Sequence, residues 1–253
     1  NEETVFSAHL RGDSHKYSQE NLTYRLNATK FIDKLTLSLS ESTGLRHPDI
    51  FALHGANPSG SYKSMMTTKP ETSLTRELSV KYDFTDNLSF NSTAYRGTIS
   101  DVLNRSTSTN AYNEIIDISQ EGLESSFIIN DDNQKLVLSS VFSKSREADG
   151  DPQQRRPEKQ FGAKYSKKFI SDLVGPFSLS YDYRHVGKVE DWKNGSVLAK
   201  VDSSDIMNLS LSKELFGNYW SLNIFNLTDE QYQRPDTYNQ EGRKFSLSLR
   251  AKY

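Results

Sequence analysis

Hydrophobic and polar residues alternate along most of this chain, in about twelve segments. In the last segment, Phe245, Leu247 and Leu249 alternate with serines and basic residues. Successive side chains of a strand point to opposite faces, so this pattern predicts a strand with one apolar and one charged face. Similar alternation occurs in segments 78–84, 177–184 and 207–212. The sequence therefore predicts an all-β fold of antiparallel strands.

The connections between these segments are alternately short and long. The short ones are expected near Ile32–Lys34, Thr85–Asn87, Asn130–Asn133, Ile170–Gly175 and Leu215–Gly217. The long ones are expected near Gly12–Gln19, Ser42–Lys69, Val102–Asn113, Arg146–Pro157, Gly187–Val201 and Thr228–Glu241. Outer-membrane barrels have short periplasmic turns and long outer loops. The sorting by length predicts an antiparallel transmembrane β-barrel wall of about twelve strands.

A soluble half-buried sheet is the competing interpretation of the alternation. It explains a single strand well, but about twelve such strands would need a second layer to cover their apolar faces. In a barrel wall those faces contact lipid, and closure leaves no unpaired edge. The two interpretations place Leu179, Leu209 and Phe245 differently: against hydrocarbon in the wall, or in a dry interior in the soluble protein.

The composition is compatible with a membrane wall. The chain has 253 residues and a net charge of -2, so no basic surface indicates nucleic acid. Hydrophobic residues are 34%, which is low for a soluble core but suits a wall with one wet face. The 13 Tyr and 13 Phe favour ordered strands over disorder. The absence of cysteine excludes disulfides and thiolate metal sites.

The chain shows neither a membrane helix nor a signal peptide. No run approaches the roughly 18 apolar residues that a membrane helix needs. The first residues, Asn1 to Thr4, lead directly into the first strand pattern. Because an outer-membrane protein must be exported, we expect this chain to be a portion of a longer protein.

Five segments resemble, in the same order, motifs of the C-terminal half of TonB-dependent outer-membrane receptors. They are Leu35–Gly55, Lys69–Leu78, Gln120–Glu124, Ile224–Tyr232 and the pair Gly242-Arg243 before the last strand. Ile224–Tyr232 is similar to the family's ENLFDKXY segment. Gly242-Arg243 is similar to its P-G-R motif, with Glu241 where proline is common. Among the branches of the family, the vitamin B12 receptors are the nearest.

The resemblance implies a barrel of about 22 strands plugged by an N-terminal domain. Residues 1–253 would be the C-terminal portion of that barrel, without the plug and the early strands. The implied function is TonB-dependent import of a scarce nutrient, a corrinoid such as vitamin B12 or an iron-siderophore, with the corrinoid slightly favoured. The implied partners are outer-membrane lipid, the receptor's own plug, the TonB energy-coupling protein through that plug, and the nutrient.

Charged residues on the polar faces are expected to line the lumen and face the plug. The candidates are Glu77, Glu124, Asp182, Arg184 and Arg243. Water or a polar plug accommodates such charges, whereas lipid does not. For any one residue, a hydrated wall without plug contact is the simpler explanation. Gly122 and Gly162 lie inside strands, which predicts either a bend or the close approach of another backbone, such as that of the plug.

Ligand contacts are expected on the long loops, because binding residues concentrate on loops held by a rigid scaffold. The candidates are Tyr62, Tyr112, Arg155, Arg156, Trp192 and Tyr238. The adjacent guanidinium groups of Arg155 and Arg156 suit an anionic ligand or a lipopolysaccharide phosphate. A solvated loop is the simpler explanation for this pair. Pro48 predicts the start of a short helix in the longest loop.

No enzyme motif is present. HExxH, GxSxG and Walker sequences do not occur, so no catalytic residue, metal site or cofactor is predicted. One alternative stays open, a self-contained small outer-membrane barrel that acts as a passive channel or a phospholipase. Such a barrel closes on itself, so the strands at Phe6–Arg11 and Phe245–Lys252 would pair.

Overall fold

The structure is a computed structural model that describes residues 2–16, 18–48, 69–105, 112–193 and 197–251. The strands are β1 Glu2–His15, β2 Ser18–Ile32, β3 Leu35–Arg46, β4 Glu71–Thr85, β5 Leu88–Arg105, β6 Tyr112–Asn130, β7 Gln134–Glu147, β8 Lys159–Phe169, β9 Phe177–Val186, β10 Val189–Lys193, β11 Val197–Val201, β12 Ser204–Leu215, β13 Asn218–Phe225 and β14 Lys244–Arg250. All except β10 and β11 form one 12-stranded antiparallel sheet in chain order. The described residues include no helix long and apolar enough to cross a membrane.

The predicted sorting of connections is confirmed for most of the sheet. The turns after β2, β4, β6 and β12 have two or three residues, and the connections after β3, β7, β9 and β13 are long. The connection after β8 has seven residues and that after β5 has six, so these two are not sorted by length as predicted. The predicted long connection at Gly12–Gln19 is wrong, because β1 continues to His15 and β2 begins at Ser18. The two strands keep pairing through polar positions such as Asp13 and Asn21, because the backbone ladder does not need apolar side chains. The hairpin of β10 and β11 lies within the predicted long loop Gly187–Val201.

The register places the apolar positions of neighbouring strands on one common face, which we call the apolar face. Across five strands, the directly opposed residues are Leu39 with Leu78, Leu78 with Ala94, Ala94 with Leu123, and Leu123 with Phe142. The alternate positions, such as Ser40 opposite Glu77 and Lys164 opposite Asp182, form the opposite side, the polar face. Each strand is thus amphipathic in the same sense as its neighbours.

The apolar face is not covered by a second layer. Phe6 is 77% exposed and Phe245 is 64% exposed, while Leu179 and Leu209 are only half-buried. Among the described residues, the buried hydrophobic side chains are Ile118, Val186, Val189 and Val201, and three of these belong to the region around the β10–β11 hairpin. A soluble sandwich would bury the apolar face in a core. The sheet is instead built to contact hydrocarbon on that face.

Aromatic rings on the apolar face form pairs near both of its limits, and other rings, such as Tyr165 opposite Tyr181, lie between them. Near the short turns, the ring centroids of Tyr82 and Phe84 are 4.8 Å apart, and those of Phe169 and Phe177 are 5.0 Å apart. Near the long connections, Phe142 and Phe161 pack edge to face at 5.5 Å. Girdles of aromatic residues mark the two membrane interfaces of an outer-membrane barrel. The short turns and the long loops therefore lie on opposite sides of the membrane.

The two ends of the sheet do not join. Within the described residues, β1 pairs with β2 and β14 pairs with β13, and neither has a second neighbour. The pairing of Phe6–Arg11 with the last strand that a self-contained small barrel requires is therefore absent from these residues. The sheet is thus open at both ends within the described residues.

Gly122 makes room for a side chain of the neighbouring strand. A Cβ atom at this position would lie 2.6 Å from the Tyr95 hydroxyl oxygen and 2.8 Å from the Phe142 carbonyl oxygen. At Gly162, a Cβ atom would lie 2.6 Å from the Ser139 Oγ atom. Another backbone approaches closely at Gly122, whereas at Gly162 the close group is a side chain, and both groups belong to the sheet itself.

Candidate functional site

The buried carboxylate of Asp191 joins three segments at the long-loop end of the sheet. Asp191 lies in β10 and is fully buried. Its Oδ1 atom accepts a hydrogen bond from the Arg155 Nε atom at 2.8 Å, and its Oδ2 atom accepts one from the Asp236 backbone N–H at 2.8 Å. The Arg155 backbone N–H also donates to the Glu190 carbonyl oxygen at 2.9 Å. The connection after β7, the β10–β11 hairpin and the connection after β13 therefore form one loop cluster.

Arg234 links the connection after β13 to the end of β9 by hydrogen bonds. Its Nη2 atom donates to the carbonyl oxygens of Val186 at 3.0 Å and Gly187 at 3.1 Å. Burial lowers the pKa of the Arg234 guanidinium, because desolvation disfavours its charged form. The carbonyl dipoles that it contacts offset part of this cost.

Asn226 closes the base of the connection after β13. It is buried, with a φ of 51°. Its amide nitrogen donates to the carbonyl oxygens of Glu230 at 2.9 Å and Glu241 at 3.3 Å. Its Oδ1 atom accepts a hydrogen bond from the Glu230 N–H at 2.8 Å. Asparagine tolerates the left-handed backbone region and supplies both a donor and an acceptor, so it meets both demands of this corner.

The two motifs at the C-terminal end of the chain contact each other. The Oδ1 atom of Asp229 accepts a hydrogen bond from the Arg243 backbone N–H at 2.7 Å. A Cβ atom at Gly242 would lie 2.8 Å from the same oxygen, so glycine permits this approach. We call this pair of contacting segments the clasp. It consists of Ile224–Tyr232 and Gly242-Arg243, and both segments resemble receptor motifs in the sequence.

The structure brings some of the predicted ligand residues together. Arg155 contacts Asp191, and Tyr238 follows Asp236 by two residues, so one carboxylate holds both segments near each other. Arg156 is exposed, and Tyr238 is 65% exposed. The side chains of Tyr112 and Trp192 and the whole of Tyr62 lie outside the described residues, as does the predicted short helix after Pro48.

Four of the five predicted lumen residues lie on the polar face. Glu77 accepts a hydrogen bond from the Ser40 hydroxyl at 3.0 Å, and Asp182 forms an ion pair with the Lys164 Nζ atom at 3.4 Å. Glu124 and Arg184 are exposed on that face. Arg243 does not lie on the strand, because β14 begins at Lys244 and the backbone of Arg243 belongs to the clasp.

The polar face has a shallow hollow of about 410 Å³ around the Lys164–Asp182 pair. Its lining includes Ser166, Asn208, Ser210 and Asn223. Hydroxyl, amide and charged groups line the hollow together, so it can hydrogen-bond to water or to a polar protein surface.

Three residues of the loop cluster have roles that the sequence patterns do not predict. Asp191 and Arg234 are spaced for no recognised motif, and their partners lie 36 to 48 residues away in the chain. Asn226 lies inside a motif, but its bonds to residues 230 and 241 depend on the path of the loop. Only the folded structure shows that these three residues hold the loop cluster together.

An amphipathic antiparallel sheet with an uncovered apolar face, aromatic girdles and connections sorted by length is the wall of an outer-membrane β-barrel. The sequence assigns this wall to a family. Residues 4–227 match the family described as TonB dependent receptor-like, beta-barrel, and the chain belongs to this family. Members of the family are outer-membrane β-barrel proteins of Gram-negative bacteria. No curated protein sequence matches the chain at a significant level.

Three solved structures with a similar fold are named as receptors or transporters for iron or siderophores. The siderophore receptor PirA from Acinetobacter baumannii superposes on 97% of this chain with a TM-score of 0.79 and 18% identity, and 43% of that receptor is covered. The FrpB iron transporter from Neisseria meningitidis superposes on 97% with a TM-score of 0.77 and 15% identity, and 42% of that chain is covered. The ferric-catecholate import receptor Fiu from K12 E. coli superposes on 91% with a TM-score of 0.72 and 18% identity, and 35% of it is covered.

The chain spans about two-fifths of the length of these receptors. This agrees with a sheet whose first and last strands have no outer neighbour. The superfamily resemblance predicted from the sequence is confirmed, whereas the vitamin B12 branch stays a prediction.

Proposed function

We propose that residues 1–253 form the C-terminal portion of the barrel of a TonB-dependent receptor that imports iron bound to a siderophore. The observation that carries this proposal is the loop cluster on an outer-membrane wall, which gives rigid support for a ligand on the outer side. The three similar structures are of proteins that import or bind iron or siderophores, which supports the iron-siderophore class over the corrinoid class that the sequence slightly favoured. In this proposal no covalent bond changes, and the receptor acts by binding and gated release.

The exposed side chains of Arg156 and Tyr238 are the proposed ligand contacts on the described loops. Ferric catecholate complexes are anionic and aromatic, so a guanidinium group and a phenol ring offer complementary charge and stacking. Arg155 has a different role, since its Nε atom is held by Asp191. We assign Arg155 to the loop cluster, where it positions Arg156. Tyr62, Tyr112 and Trp192 remain proposed ligand contacts from the other long connections of the chain.

Uptake assays test the proposed ligand class. The full-length receptor is produced in cells that lack other outer-membrane iron and cobalamin receptors, and uptake of a radiolabelled ferric catecholate and of radiolabelled cobalamin is compared. We expect iron uptake that is lost when TonB is deleted. The double variant Arg156→Ala, Tyr238→Ala should reduce iron uptake about tenfold, because it removes a charge-assisted contact and an aromatic one.

Lys188→Ala is the matched control for that double variant. Lys188 is also an exposed cation at the loop end, but it is paired with Asp202 at 3.0 Å. Uptake by this variant should equal that of the unmodified receptor. TonB-dependent uptake of cobalamin without uptake of iron would assign the receptor to the corrinoid class instead.

We also propose that the hollow around Lys164 and Asp182, with Glu77, Glu124 and Arg184, contacts the plug. Its ion pair and polar lining can hydrogen-bond to a polar domain inside the barrel. The substitution Asp182→Lys would place two cations opposite each other and weaken that contact. Single-channel recording in planar bilayers should then show a higher passive conductance of the full-length receptor. Unchanged conductance, equal to that of the apolar-face variant Lys30→Glu, would contradict plug contact at this hollow.

A further inference from the structure

A row of charged side chains crosses the apolar face near its long-loop limit. The row consists of Glu41, Arg76, Arg96, Glu121 and Lys144, and each residue is directly opposite the next in the ladder. Because residues that face each other across a ladder share one side of the sheet, these five point the same way as Leu39, Leu78 and Ala94. Charges on a lipid-contacting face are costly at the bilayer centre and tolerated at its interfaces.

The depth of the row places it at the outer interface. Arg96 lies eight residues after Leu88, the first residue of β5. At about 3.3 Å per residue and a strand tilt of about 40°, this corresponds to a height of about 20 Å above the short turn. The apolar band of such barrels is about 25 Å tall. Beyond the row this face becomes mixed, with the hydroxyl side chains of Thr43, Thr72, Thr98 and Ser100 beside Leu45 and Leu74.

Two cations face each other within this row. Arg76 is directly opposite Arg96, and the carboxylates of Glu41 and Glu121 flank the pair in the row. Like charges directly opposite each other are destabilising, so a further anion between the two arginines would stabilise them. The Arg76 Nε atom donates to Glu41 at 2.6 Å, and the Arg76 side chain is still 70% exposed. Arg96 is exposed and forms no ion pair with a described residue. Arginine presents several N–H groups, so the pair can bind the oxygens of one phosphate together.

An apolar groove leads away from the two arginines. It has a volume of about 810 Å³ and is lined by Leu26, Leu39 and Leu78, with the small side chains of Ala8, Ala28 and Ala94 leaving room between them. Arg76 and Arg96 line the same groove. The groove therefore combines a hydrocarbon channel with a cationic end at the outer interface.

We propose that this groove binds a phosphate-bearing lipid of the outer leaflet, with an acyl chain along the leucines and a phosphate between Arg76 and Arg96. The charge complementarity of the arginine pair and the position of the row select this occupant. Acyl burial is worth about 0.8 kcal/mol per CH₂ group, so even a partly seated chain adds to the phosphate contact. This binding is separate from nutrient import, and uptake can persist without it.

Thermal unfolding in detergent micelles tests the proposal on the full-length receptor. Lipid A, which carries two phosphates, is titrated in parallel with dephosphorylated lipid A and with inorganic phosphate. We expect lipid A alone to raise the unfolding midpoint. The double variant Arg76→Gln, Arg96→Gln should weaken the apparent lipid A affinity by about tenfold or more, because charge-assisted hydrogen bonds are lost.

Lys30→Gln is the matched control. Lys30 is a cation on the same face but near the short turn, where it pairs with Glu2 at 3.2 Å. It should bind lipid A as the unmodified receptor does. Equal stabilisation by dephosphorylated lipid A, stabilisation by inorganic phosphate alone, or unchanged affinity of the double variant would each overturn the proposal.

A second variant tests the groove without touching the arginines. Ala94→Phe would fill the space between Leu78 and Leu123 with a ring that lipid tolerates. We expect this variant to assemble and to lose lipid A affinity while the arginine pair is intact. Native mass spectrometry that finds the same number of bound lipid A molecules in this variant and in the unmodified receptor would contradict the acyl channel.

Discussion

At the scale of the residue, the structure depends on small groups placed where a larger or less polar one would not fit. Asn226 uses its amide to hold both ends of the last connection, and Gly122 leaves the space that the Tyr95 ring occupies. Both residues act through local geometry. Each therefore gives a prediction that one substitution tests.

We expect Asn226→Ala to destabilise the connection after β13. The variant loses three hydrogen bonds at a buried corner, which costs about 1–3 kcal/mol of unfolding free energy for each unsatisfied group. Limited proteolysis of the full-length receptor should cut residues 227–243 faster. Asn226→Asp keeps the acceptor oxygen and should be intermediate. Cleavage of the alanine variant at the unmodified rate would show that the corner does not hold the loop.

Gly122→Ala should destabilise the junction of β5, β6 and β7 by about 1–3 kcal/mol, because the added methyl group overlaps Tyr95 and the Phe142 carbonyl. Urea unfolding in lipid vesicles measures the loss. Gly12→Ala is the control, since no atom lies within 4 Å of a Cβ there. Replacing Tyr95 with serine in the Gly122→Ala background should restore part of the stability. Equal midpoints for Gly122→Ala and Gly12→Ala would refute the steric account.

At the scale of the element, short turns set the register of each hairpin. Between β6 and β7, Asp131 accepts hydrogen bonds from the backbone N–H groups of Asn133 at 2.9 Å and Gln134 at 2.8 Å. The bond from Asn133, followed by those from Gln134, lowers the pKa of the Asp131 carboxyl group below its usual range. An ionised turn residue thus stabilises the hairpin.

The lowered pKa of Asp131 predicts a pH dependence. Its contribution to stability is fully present above the unfolded pKa of about 4 and is lost as pH falls through the lower folded pKa. Asp131→Asn should remove this part of the acid sensitivity. Urea midpoints measured between neutral and strongly acidic pH should converge for the two proteins at the acid end. Parallel curves over the whole range would contradict the assignment.

At the scale of the whole molecule, two faces with opposite chemistry define the wall. Leu209 and Ser210 are neighbours in β12 and lie on the apolar and polar faces, respectively. This adjacency allows the orientation of the entire sheet to be tested by two matched substitutions.

Leu209→Arg should impair assembly in the outer membrane, because arginine on the lipid face costs about 2–4 kcal/mol near the midplane. Ser210→Arg places the same side chain on the wet face and should assemble normally. The difference in gel mobility between heated and unheated samples of the full-length receptor reports the folded fraction. The reverse ranking of the two variants would invert the face assignment.

The sequence predicts the strands, their faces and most connections, because alternation and connection length are local signals. It does not predict the contact of Asp191 with Arg155 and Asp236, since that contact depends on three loops folding onto one another. For Arg243, the sequence predicts a lumen contact from the charge but not the hydrogen bond that its backbone N–H donates to Asp229. The lumen contact stays a prediction. The lengths of β1 and β2 were underestimated because backbone pairing continues where the side chains become polar.

Within the part of the chain that the structure describes, β1 and β14 each pair with one neighbouring strand, so one edge of each has no ladder partner in the sheet. In hydrocarbon, every main-chain donor or acceptor without a partner costs several kcal/mol. Residues 1–253 produced in isolation would therefore tend to pair with a second copy through these strand edges or to precipitate. The measurements proposed above accordingly use the full-length receptor.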